Sequence, residues 1–370
     1  MKLGYFTLFD NLPIFGEVRR NSGLMLGEIA EEAAAADALG FSSFWVAEHH
    51  GPNFGQLPAP APFLGYLATI TERIVLGPAC VILPISHPVR VAEEYAVLDW
   101  VSKGRIALAV GRGNEPADYT LFGVDYEESR ERLREGTELI RMLWTTREVT
   151  YFGRHYRIEE PFTLNQYPLQ RPHPPIALAA YSPPTVHLAA ELGVDLMLSP
   201  LGVGMAFGGL EQAAAAFREA AARAGHPHLK MICSYYCALA TSRAEEEEHR
   251  ARLLRFIHGL LEIAAHRPTD RVSTPLQAAR QRVLAMQPSD VGPDLLITGD
   301  AETVIKHLEW CASLGIDEII LDVNFGCYPH RDTMRQLHLL AREVLPVFHQ
   351  RPLTRPAAES APPVGPTPPR

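Results

Sequence analysis

Short, mostly apolar runs alternate with longer amphipathic runs along most of the chain. Eight of the short runs have the length and continuous apolar character of buried strands: Leu3–Phe9, Ser43–Ala47, Ile74–Leu83, Arg105–Val110, Ile176–Ala180, Asp195–Ser199, Lys230–Ala240 and Glu318–Val323. Continuous apolar character, unlike strict alternation, indicates a strand that is covered on both faces. The pattern therefore predicts a parallel sheet with helices packed against it.

The longer runs have the periodicity of helices. They cover Leu26–Leu39, Pro60–Ile70, His87–Val101, Tyr126–Trp144, Thr185–Leu192, Gly209–Ala224, Arg243–His266 and His330–Phe348. Eight strand–helix units predict an α/β fold, a single-domain (β/α)8 TIM barrel with insertions. A doubly wound open sheet is the alternative, and the absence of a G-x-G-x-x-G motif after the first strand argues against it.

Three segments fall outside this pattern. Tyr151–Pro175 is proline-rich, and we expect an irregular excursion there. Residues 267–293 follow the seventh strand and include a short helical pattern near Gln277–Met286, which predicts either a mobile lid or a disordered surface loop. Residues 351–370 contain seven prolines and few large apolar side chains, and they are predicted to be disordered. The barrel is thus expected to occupy residues 1–350.

Composition limits the class of protein. The formal net charge of −9 at pH 7 argues against broad nucleic-acid binding. No apolar run approaches the length of a membrane span, and residues 1–10 are typical of a strand rather than of a signal peptide. The five cysteines match neither a disulfide framework nor a zinc site: Cys80, Cys233, Cys237, Cys311 and Cys327. We expect a cytoplasmic protein with no metal site.

The residues after the strands are the candidates for chemistry, because barrel active sites lie at the carboxyl ends of the strands. Ser182 is a favourable N-cap. The free amides of the helix after it and the hydroxyls of Ser182 and Thr185 are therefore predicted to bind a phosphate-sized anion. Arg112, between two glycines, and Arg130 are candidate phosphate donors. The alternative is an ordinary capped helix with surface arginines.

Two further features lie at the same end of the predicted barrel. His49, in the run Glu48–His50, can hydrogen-bond a ring or transfer a proton near neutral pH, or it is simply a structural histidine. Gly77–Cys80 interrupts the third strand with small residues. Such residues let a flat ring approach the backbone, or they form a simple bulge. The residues alone leave both alternatives open.

Four stretches resemble the bacterial luciferase-like flavin-dependent monooxygenases. They are FWVAEHH with Phe54 and Gly55 behind it, LPISHPVRVAEEYAVLDWVSKGRIALAVGRG, FGVDYEESRERL and AAYSPPTVHLAAELG, in the order and spacing of that family. The run S-H-P-V-R followed by D-x-x-S-K-G-R is especially characteristic. The resemblance extends from residue 1 to about residue 350, is weakest at 240–295, and implies a (β/α)8 barrel.

The resemblance also implies roles for individual residues. The family's catalytic histidine falls on His49, and its non-prolyl cis peptide beneath the flavin ring falls on Ala79–Cys80. Its phosphate-binding residues fall on Arg112, Arg130, Ser182 and Thr185, with Tyr181 beside them. Two positions depart from the luciferase α subunit: Gly111 replaces a reactive thiol, and Tyr181 replaces a glutamate. These departures argue against light emission and a long-chain aldehyde substrate and leave the flavin site intact.

The resemblance implies a two-component monooxygenase that receives reduced FMN from a separate flavin reductase and uses O2. Its substrate would be a small, largely apolar organic molecule, oxygenated by Baeyer–Villiger-type insertion, hydroxylation or oxidative cleavage. Candidate pocket-lining residues are Phe6, Phe54, Tyr181, Phe207 and Phe325. A homo- or heterodimer is expected. The alternatives are an F420-dependent oxidoreductase of the same superfamily and a non-catalytic flavin-binding protein or partner subunit.

Overall fold

The computed structural model describes residues 1–12, 20–51, 55–113, 115–265, 281 and 283–349. This part of the chain contains strands β1 Lys2–Thr7, β2 Ser43–Val46, β3 Val75–Pro78, β4 Val81–Ile82, β5 Leu108–Gly111, β6 Val149–Phe152, β7 Arg157–Phe162, β8 Ile176–Ala179, β9 Asp195–Leu198, β10 Met231–Leu239, β11 Leu296–Gly299 and β12 Glu318–Asp322. All eight predicted strands are present, and the third is divided into β3 and β4.

All of these strands except β6 and β7 form one parallel sheet that curls into a barrel. Their order is β3-β2-β1-β12-β10-β9-β8-β5-β4, and β11 pairs with β10 beside this path. A parallel bridge between Leu76 and Ile106 joins β3 to the segment that precedes β5, so the two edges of the sheet meet. This closure confirms the predicted (β/α)8 barrel, and the doubly wound alternative is wrong.

The barrel interior is filled unevenly. The inward positions of β1, β2, β10 and β12 carry the bulky side chains Phe6, Trp45, Ile232 and Ile320. On β5 and β8 the inward positions carry only methyl groups, from Ala107, Ala109, Ala177 and Ala179. A much larger apolar cluster packs the outer face of the strands against the helices. The part of the barrel formed by β5 and β8 therefore carries small side chains on its inner face.

The described helices are α1 Ser22–Leu39, α2 Pro60–Ile70, α3 Pro88–Val101, α4 Pro116–Leu121, α5 Ser129–Thr145, α6 Pro183–Leu192, α7 Pro200–Ala206, α8 Leu210–Arg223, α9 Arg243–Ala265, α10 Ala301–Ser313, α11 His330–Glu343 and α12 Leu345–His349. α1 begins earlier than predicted because Oδ1 of Asn21 accepts hydrogen bonds from the amides of Gly23 and Leu24, at 2.9 and 3.2 Å. Each of these described helices is too short or too polar to cross a lipid bilayer.

Several sequence predictions require correction. The segment Tyr151–Pro175, predicted to be irregular, contributes to the antiparallel hairpin β6–β7. The last predicted helix is two helices, because α11 ends before Val344 and Pro346, which lacks an amide N–H, follows within α12. The prediction also omitted β11, α10, α4 and α7. Most of the predicted lid, residues 267–280 and 282, and the predicted disordered tail lie outside the described residues.

Candidate active site at the barrel mouth

Arg112 follows β5 directly, and its guanidinium is held at the start of α5. Nε and Nη2 donate to Oγ of Ser129 at 3.0 and 2.7 Å, and the group lies over the Tyr126 ring, 5.2 Å from its centre. Within the described residues no carboxylate forms a salt bridge with this guanidinium. These contacts occupy two of its five N–H donors, so the others remain for an anion.

Arg130 lies next to Ser129 in α5, and its side chain is exposed. It lines a surface cleft of about 620 Å³ between α5 and α6 together with Pro184, His187 and Leu188. Three acidic residues, Glu127, Glu131 and Glu191, share this cleft. Pro184, which lines this cleft, lies two residues after Ser182 in the chain.

The start of α6 supplies hydroxyl groups rather than the predicted free amides. Pro183 and Pro184 have no N–H, and the Thr185 amide donates to the Ser182 carbonyl at 3.0 Å. Ser182 is the N-cap, but its hydroxyl lies 3.1 Å from Oγ1 of Thr185 and makes no capping hydrogen bond. The prediction of an amide cradle was therefore wrong, because the second proline removes a donor. The hydroxyl pair of Ser182 and Thr185 remains at the positive end of the helix dipole.

Small residues form the floor of the mouth at the ends of β4, β5 and β8. The Ala79–Cys80 peptide bond is cis, as the resemblance implies. A Cβ on Gly111 would overlap Sγ of Cys80 and would lie 3.2 Å from the methyl group of Ala179. The Cys80 thiol thus occupies the space of a side chain at position 111. Burial raises the pKa of this thiol to about 12, so it is protonated at neutral pH.

His49 lies at the mouth beyond the end of β2. Its amide donates to the Leu57 carbonyl at 3.0 Å, and its half-buried ring packs on Gly55, where a Cβ would overlap the ring. The Ala79 amide donates to the Val46 carbonyl at 2.7 Å, which joins this side of the barrel to the cis peptide. The imidazole and the floor therefore share one side of the mouth.

The neighbours of His49 form a pair to which the sequence prediction gave no role. Nε2 of His50 lies 2.9 Å from Oε1 of the buried Glu48, and the His50 and Phe122 rings meet edge to face at 4.8 Å. The hydrogen bond that the His50 ring donates to Glu48 raises the pKa of His50, and burial raises the pKa of Glu48. The Glu48–His50 run signalled this cluster, but only the geometry shows which histidine is paired.

Two tyrosines face the space above the floor. Tyr181 continues the inward row of Ala177 and Ala179 and is 48% exposed, although burial and then the Cys80 thiol raise its pKa to about 12. Tyr236 is inward-facing on β10 and half-buried. Burial, followed by the charges of Asp322 and Asp10, raises the pKa of its hydroxyl.

Two carboxyl groups lie behind Tyr236. Asp322 is paired in register with both Phe6 and Tyr236, and none of the described residues donates a well-aligned hydrogen bond to its oxygens. Asp10 accepts a hydrogen bond of 2.7 Å from the Cys327 amide. Burial raises the pKa of Asp10 to about 6. Burial and then the charge of Asp10 raise the pKa of Asp322.

The remaining candidate pocket residues have different positions. Phe325 is fully buried and packs against Tyr236 and Tyr328, so it belongs to the core. Phe6 is nearly buried and Phe207 is half-buried, whereas Phe54 lies outside the described residues. Sequence patterns cannot separate an inward from an outward aromatic residue within one apolar run.

One group in the described part of the chain has the spacing of metal ligands, namely Glu131, Glu135 and His155. The buried Glu135 carboxylate accepts hydrogen bonds from the amides of Arg154, His155 and Tyr156, at 2.8, 3.0 and 3.2 Å. Its oxygens therefore cap the turn of the β6–β7 hairpin. This use of Glu135 is structural.

The mouth as a whole fits a flat ring that carries a phosphate group. Arg112, Arg130 and the Ser182–Thr185 hydroxyl pair suit a dianion. The floor between Ala79 and Ala179 suits a planar ring, because no side chain larger than that of Cys80 rises from it. His49 stands beside this floor and can hold or move a proton.

Comparison with known proteins identifies the family. A family model described as luciferase-like monooxygenase matches residues 1–318. The oxygenase component of a flavin-dependent trigonelline monooxygenase from Acinetobacter baylyi is 25% identical over 357 residues, which cover 95% of this chain and 97% of that one. The matches to some other curated relatives are shorter: this chain spans 55% of the length of the first of them and 54% of an alkanal monooxygenase alpha chain from Photorhabdus luminescens.

Solved structures agree with this result. The monooxygenase RslO1 from Streptomyces bottropensis superposes with a TM-score of 0.76 at 28% identity, covering 94% of this chain and all of the other. An F420-dependent secondary alcohol dehydrogenase gives a TM-score of 0.69 at 20% identity, with 94% and 98% covered, and this likeness shows the fold alone. The family match extends across most of the barrel and includes the segments that form its mouth. This chain therefore belongs to the luciferase-like monooxygenases, a family of oxidoreductases.

Proposed function

We propose that this protein is the oxygenase component of a two-component monooxygenase that uses reduced FMN and O2. The observation that carries the proposal is the Arg112 guanidinium, held at the start of α5 with N–H donors left for an anion. Arg130, the Ser182–Thr185 hydroxyl pair and the small residues at the strand ends support it. The name of the Acinetobacter baylyi relative, an oxygenase component, supports a separate flavin reductase as partner. Reduced FMN, when bound, lets one atom of O2 enter an organic substrate while the other leaves as water.

In this proposal the chain's own residues bind and orient the cofactor. Arg112 and Arg130 neutralise the phosphate, and Ser182 and Thr185 donate hydroxyl hydrogen bonds to it. Ala79 and Cys80 supply the backbone surface beneath the ring, while the surrounding apolar residues exclude water. His49 holds or delivers a proton at its imidazole nitrogen, and Glu48 keeps the neighbouring His50 in place.

An F420-dependent oxidoreductase is the second candidate. The shared fold with an F420-dependent alcohol dehydrogenase favours it. In the proposed phosphate site, Arg112 and Arg130 both lie next to the start of α5. This compact arrangement suits the single terminal phosphate of FMN better than it suits F420. A non-catalytic flavin carrier or partner subunit remains the third candidate, and turnover separates it from the other two.

We also propose a dimer and a cytoplasmic location. Five of the exposed large apolar side chains lie on the neighbouring helices α2 and α3: Tyr66, Ile70, Val97, Trp100 and Val101. This apolar face suits a second copy or a related subunit. All five cysteines are free thiols, which fits a reducing compartment.

The test is rapid mixing of the protein, preloaded with reduced FMN, with O2. We expect flavin reoxidation and hydrogen peroxide release to differ from those of free reduced FMN, and reduced F420 to show no such dependence on the protein. His49→Ala should keep flavin binding and lose the effect of the protein, whereas His338→Ala, on the exposed side of α11, should behave like the wild type. Identical reoxidation with and without the protein would overturn the proposal.

A further inference from the structure

The backbone of Arg112 lies just beyond the barrel sheet and is held there by a tyrosine. β5 ends at Gly111, which is paired in register with Ala179. Gly113 has a φ of +64°, so the chain turns there, and glycine itself restrains the backbone little. The Tyr119 hydroxyl donates a hydrogen bond to the Arg112 carbonyl at this turn. This hydrogen bond therefore fixes the direction in which the Arg112 side chain leaves the backbone.

Tyr119 is itself held in place on several sides. It lies in α4 and is buried, with 1% of its surface exposed. The Val124 amide donates to its carbonyl at 2.9 Å, which closes the turn after α4. Its ring meets the Tyr126 ring edge to face, with 4.9 Å between the ring centres. Tyr119 thus offers its hydroxyl from a fixed position, so little further side-chain entropy is lost when it binds the Arg112 carbonyl.

Arg112 is held at both its backbone and its guanidinium. The guanidinium donates to Oγ of Ser129 and lies over the same Tyr126 ring that Tyr119 packs against. Tyr119 therefore acts on Arg112 directly through the carbonyl and indirectly through the ring beneath the guanidinium. We call Tyr119, Tyr126 and Ser129 the Arg112 bracket. Because the bracket fixes the backbone and the guanidinium together, the N–H donors that it leaves unused have a defined direction.

We propose that Tyr119 is a positioning residue, which acts through Arg112 to make the site prefer a flavin that carries a phosphate over one that lacks it. The inference rests on the proposed function, because the phosphate is the anion that Arg112 would bind. Without the Tyr119 hydroxyl, the part-buried Arg112 carbonyl loses its donor and the peptide before Gly113 is free to rotate. The guanidinium then has to be ordered when the phosphate binds, which costs affinity. Contacts with the flavin ring do not involve Arg112 and keep their strength.

The experiment is fluorescence titration of the full chain with FMN and with riboflavin, which has the same ring and no phosphate. Wild type should bind FMN more tightly than riboflavin. Tyr119→Phe should weaken FMN binding about 3- to 10-fold, the effect of losing one hydrogen bond, and leave riboflavin binding unchanged. Tyr167→Phe is the matched control and should change neither affinity. The Tyr167 hydroxyl also donates to backbone carbonyls, those of Thr146 and Arg147 at 3.2 and 3.0 Å, but at the other end of α5 from Ser129.

A double-mutant cycle separates positioning from general packing. When Arg112 is already replaced by alanine, Tyr119→Phe should cause no further loss of FMN affinity, because the group that Tyr119 positions is absent. A loss of full size in the Arg112→Ala background, an equal loss for riboflavin, or unchanged FMN affinity in Tyr119→Phe would overturn the inference alone. Wild type that binds FMN no more tightly than riboflavin would remove the phosphate site, and the proposed function with it.

Discussion

At the scale of single residues, Arg112 is the candidate phosphate ligand whose position is best defined by its contacts. Its two contacts with Ser129 and its stacking on Tyr126 fix the direction of the guanidinium before any anion arrives. A preorganised guanidinium loses little side-chain entropy on binding. The side chain is therefore poised to contribute affinity rather than stability.

Arg112→Ala should weaken FMN binding by about 1.5–3 kcal/mol, since it removes charge-assisted hydrogen bonds to phosphate. Fluorescence titration of oxidised FMN measures this change. Arg90→Ala is the matched control, because Arg90 is exposed on α3 and pairs with Glu94. Equal losses in both variants would mean that general charge, rather than a specific contact, governs binding.

The residues of the site were predictable to different degrees. Glycines, prolines and cap residues mark strand ends in the sequence. The positions of Arg112, Ser182 and Thr185 next to strand ends could therefore be predicted. The inward orientation of Tyr236 and Asp322 could not be predicted, because both lie within continuous apolar runs that do not show which side chains face inward. The second proline after Ser182 was visible in the sequence, and its missing N–H already argued against free amides at the start of α6.

At the scale of elements, the characteristic D-x-x-S-K-G-R run has a structural role. Arg105 donates to the carbonyls of Ser102, Ile74, Ala68 and Thr71 and to Oγ1 of Thr71, at 2.8 to 3.0 Å. One guanidinium thus binds the carbonyl groups at the C-terminal end of α2 and joins that end to the residues just before β3 and β5. These contacts precede the strands, at the end of the barrel opposite the active site.

Arg105→Lys should lower the free energy of unfolding by about 1–3 kcal/mol, because an ammonium group cannot satisfy the same fork of acceptors and leaves buried carbonyls unpaired. Urea denaturation monitored by circular dichroism gives this value. Arg90→Lys should change stability little, since the Arg90–Glu94 pair is exposed. FMN affinity should be unaltered in both variants; a specific loss of affinity in Arg105→Lys would show that the run acts at the mouth.

A second element-scale feature joins α1 to α11. Nδ1 of His330 lies 2.9 Å from Oε1 of the buried Glu32, and the Tyr5 hydroxyl donates to the other oxygen at 2.5 Å. The hydrogen bond with Glu32 raises the pKa of His330 above 6.5. Folding therefore favours protonated His330, and this stabilisation is complete below pH 6.5 and is lost as the pH rises through the folded-state pKa.

Wild-type stability should accordingly decline as the pH rises above 6.5, and the decline should be smaller in His330→Gln. Denaturation midpoints measured from pH 5.5 to 8.5 test this expectation. His338→Gln, on the exposed side of the same helix, is the control and should keep the wild-type profile. A profile of His330→Gln that is parallel to wild type would contradict the assignment.

The elements differ in how well the sequence predicted them. The barrel strands were found because burial on both faces makes them apolar throughout. The β6–β7 hairpin was missed because β7, with the sequence RIEEPF, is mostly exposed and carries charges instead of an apolar pattern. α10 had a readable start, since Oδ1 of Asp300 accepts from the Thr303 amide at 2.9 Å, whereas the four-residue β11 before it gave little signal.

At the scale of the whole molecule, the apolar face of α2 and α3 predicts self-association. Val97→Glu should dissociate the dimer, because a buried, unpaired carboxylate in an apolar interface is costly. Sedimentation velocity of wild type and variant measures the change. Leu24→Glu is the control, since Leu24 is 70% exposed on α1, away from this face. A monomeric wild type, or a dimer that Val97→Glu leaves intact, would contradict the prediction.

The mouth of the closed barrel brings together groups from opposite parts of the chain: His49 from β2, Arg112 from β5 and the hydroxyl pair from α6. The central claim is that this mouth binds the phosphate end and the ring of FMN. Equilibrium titration of the purified full chain with FMN, oxidised and reduced, tests it most directly. We predict saturable binding of one FMN per chain that Arg112→Ala weakens; no saturable binding at millimolar FMN would contradict the account.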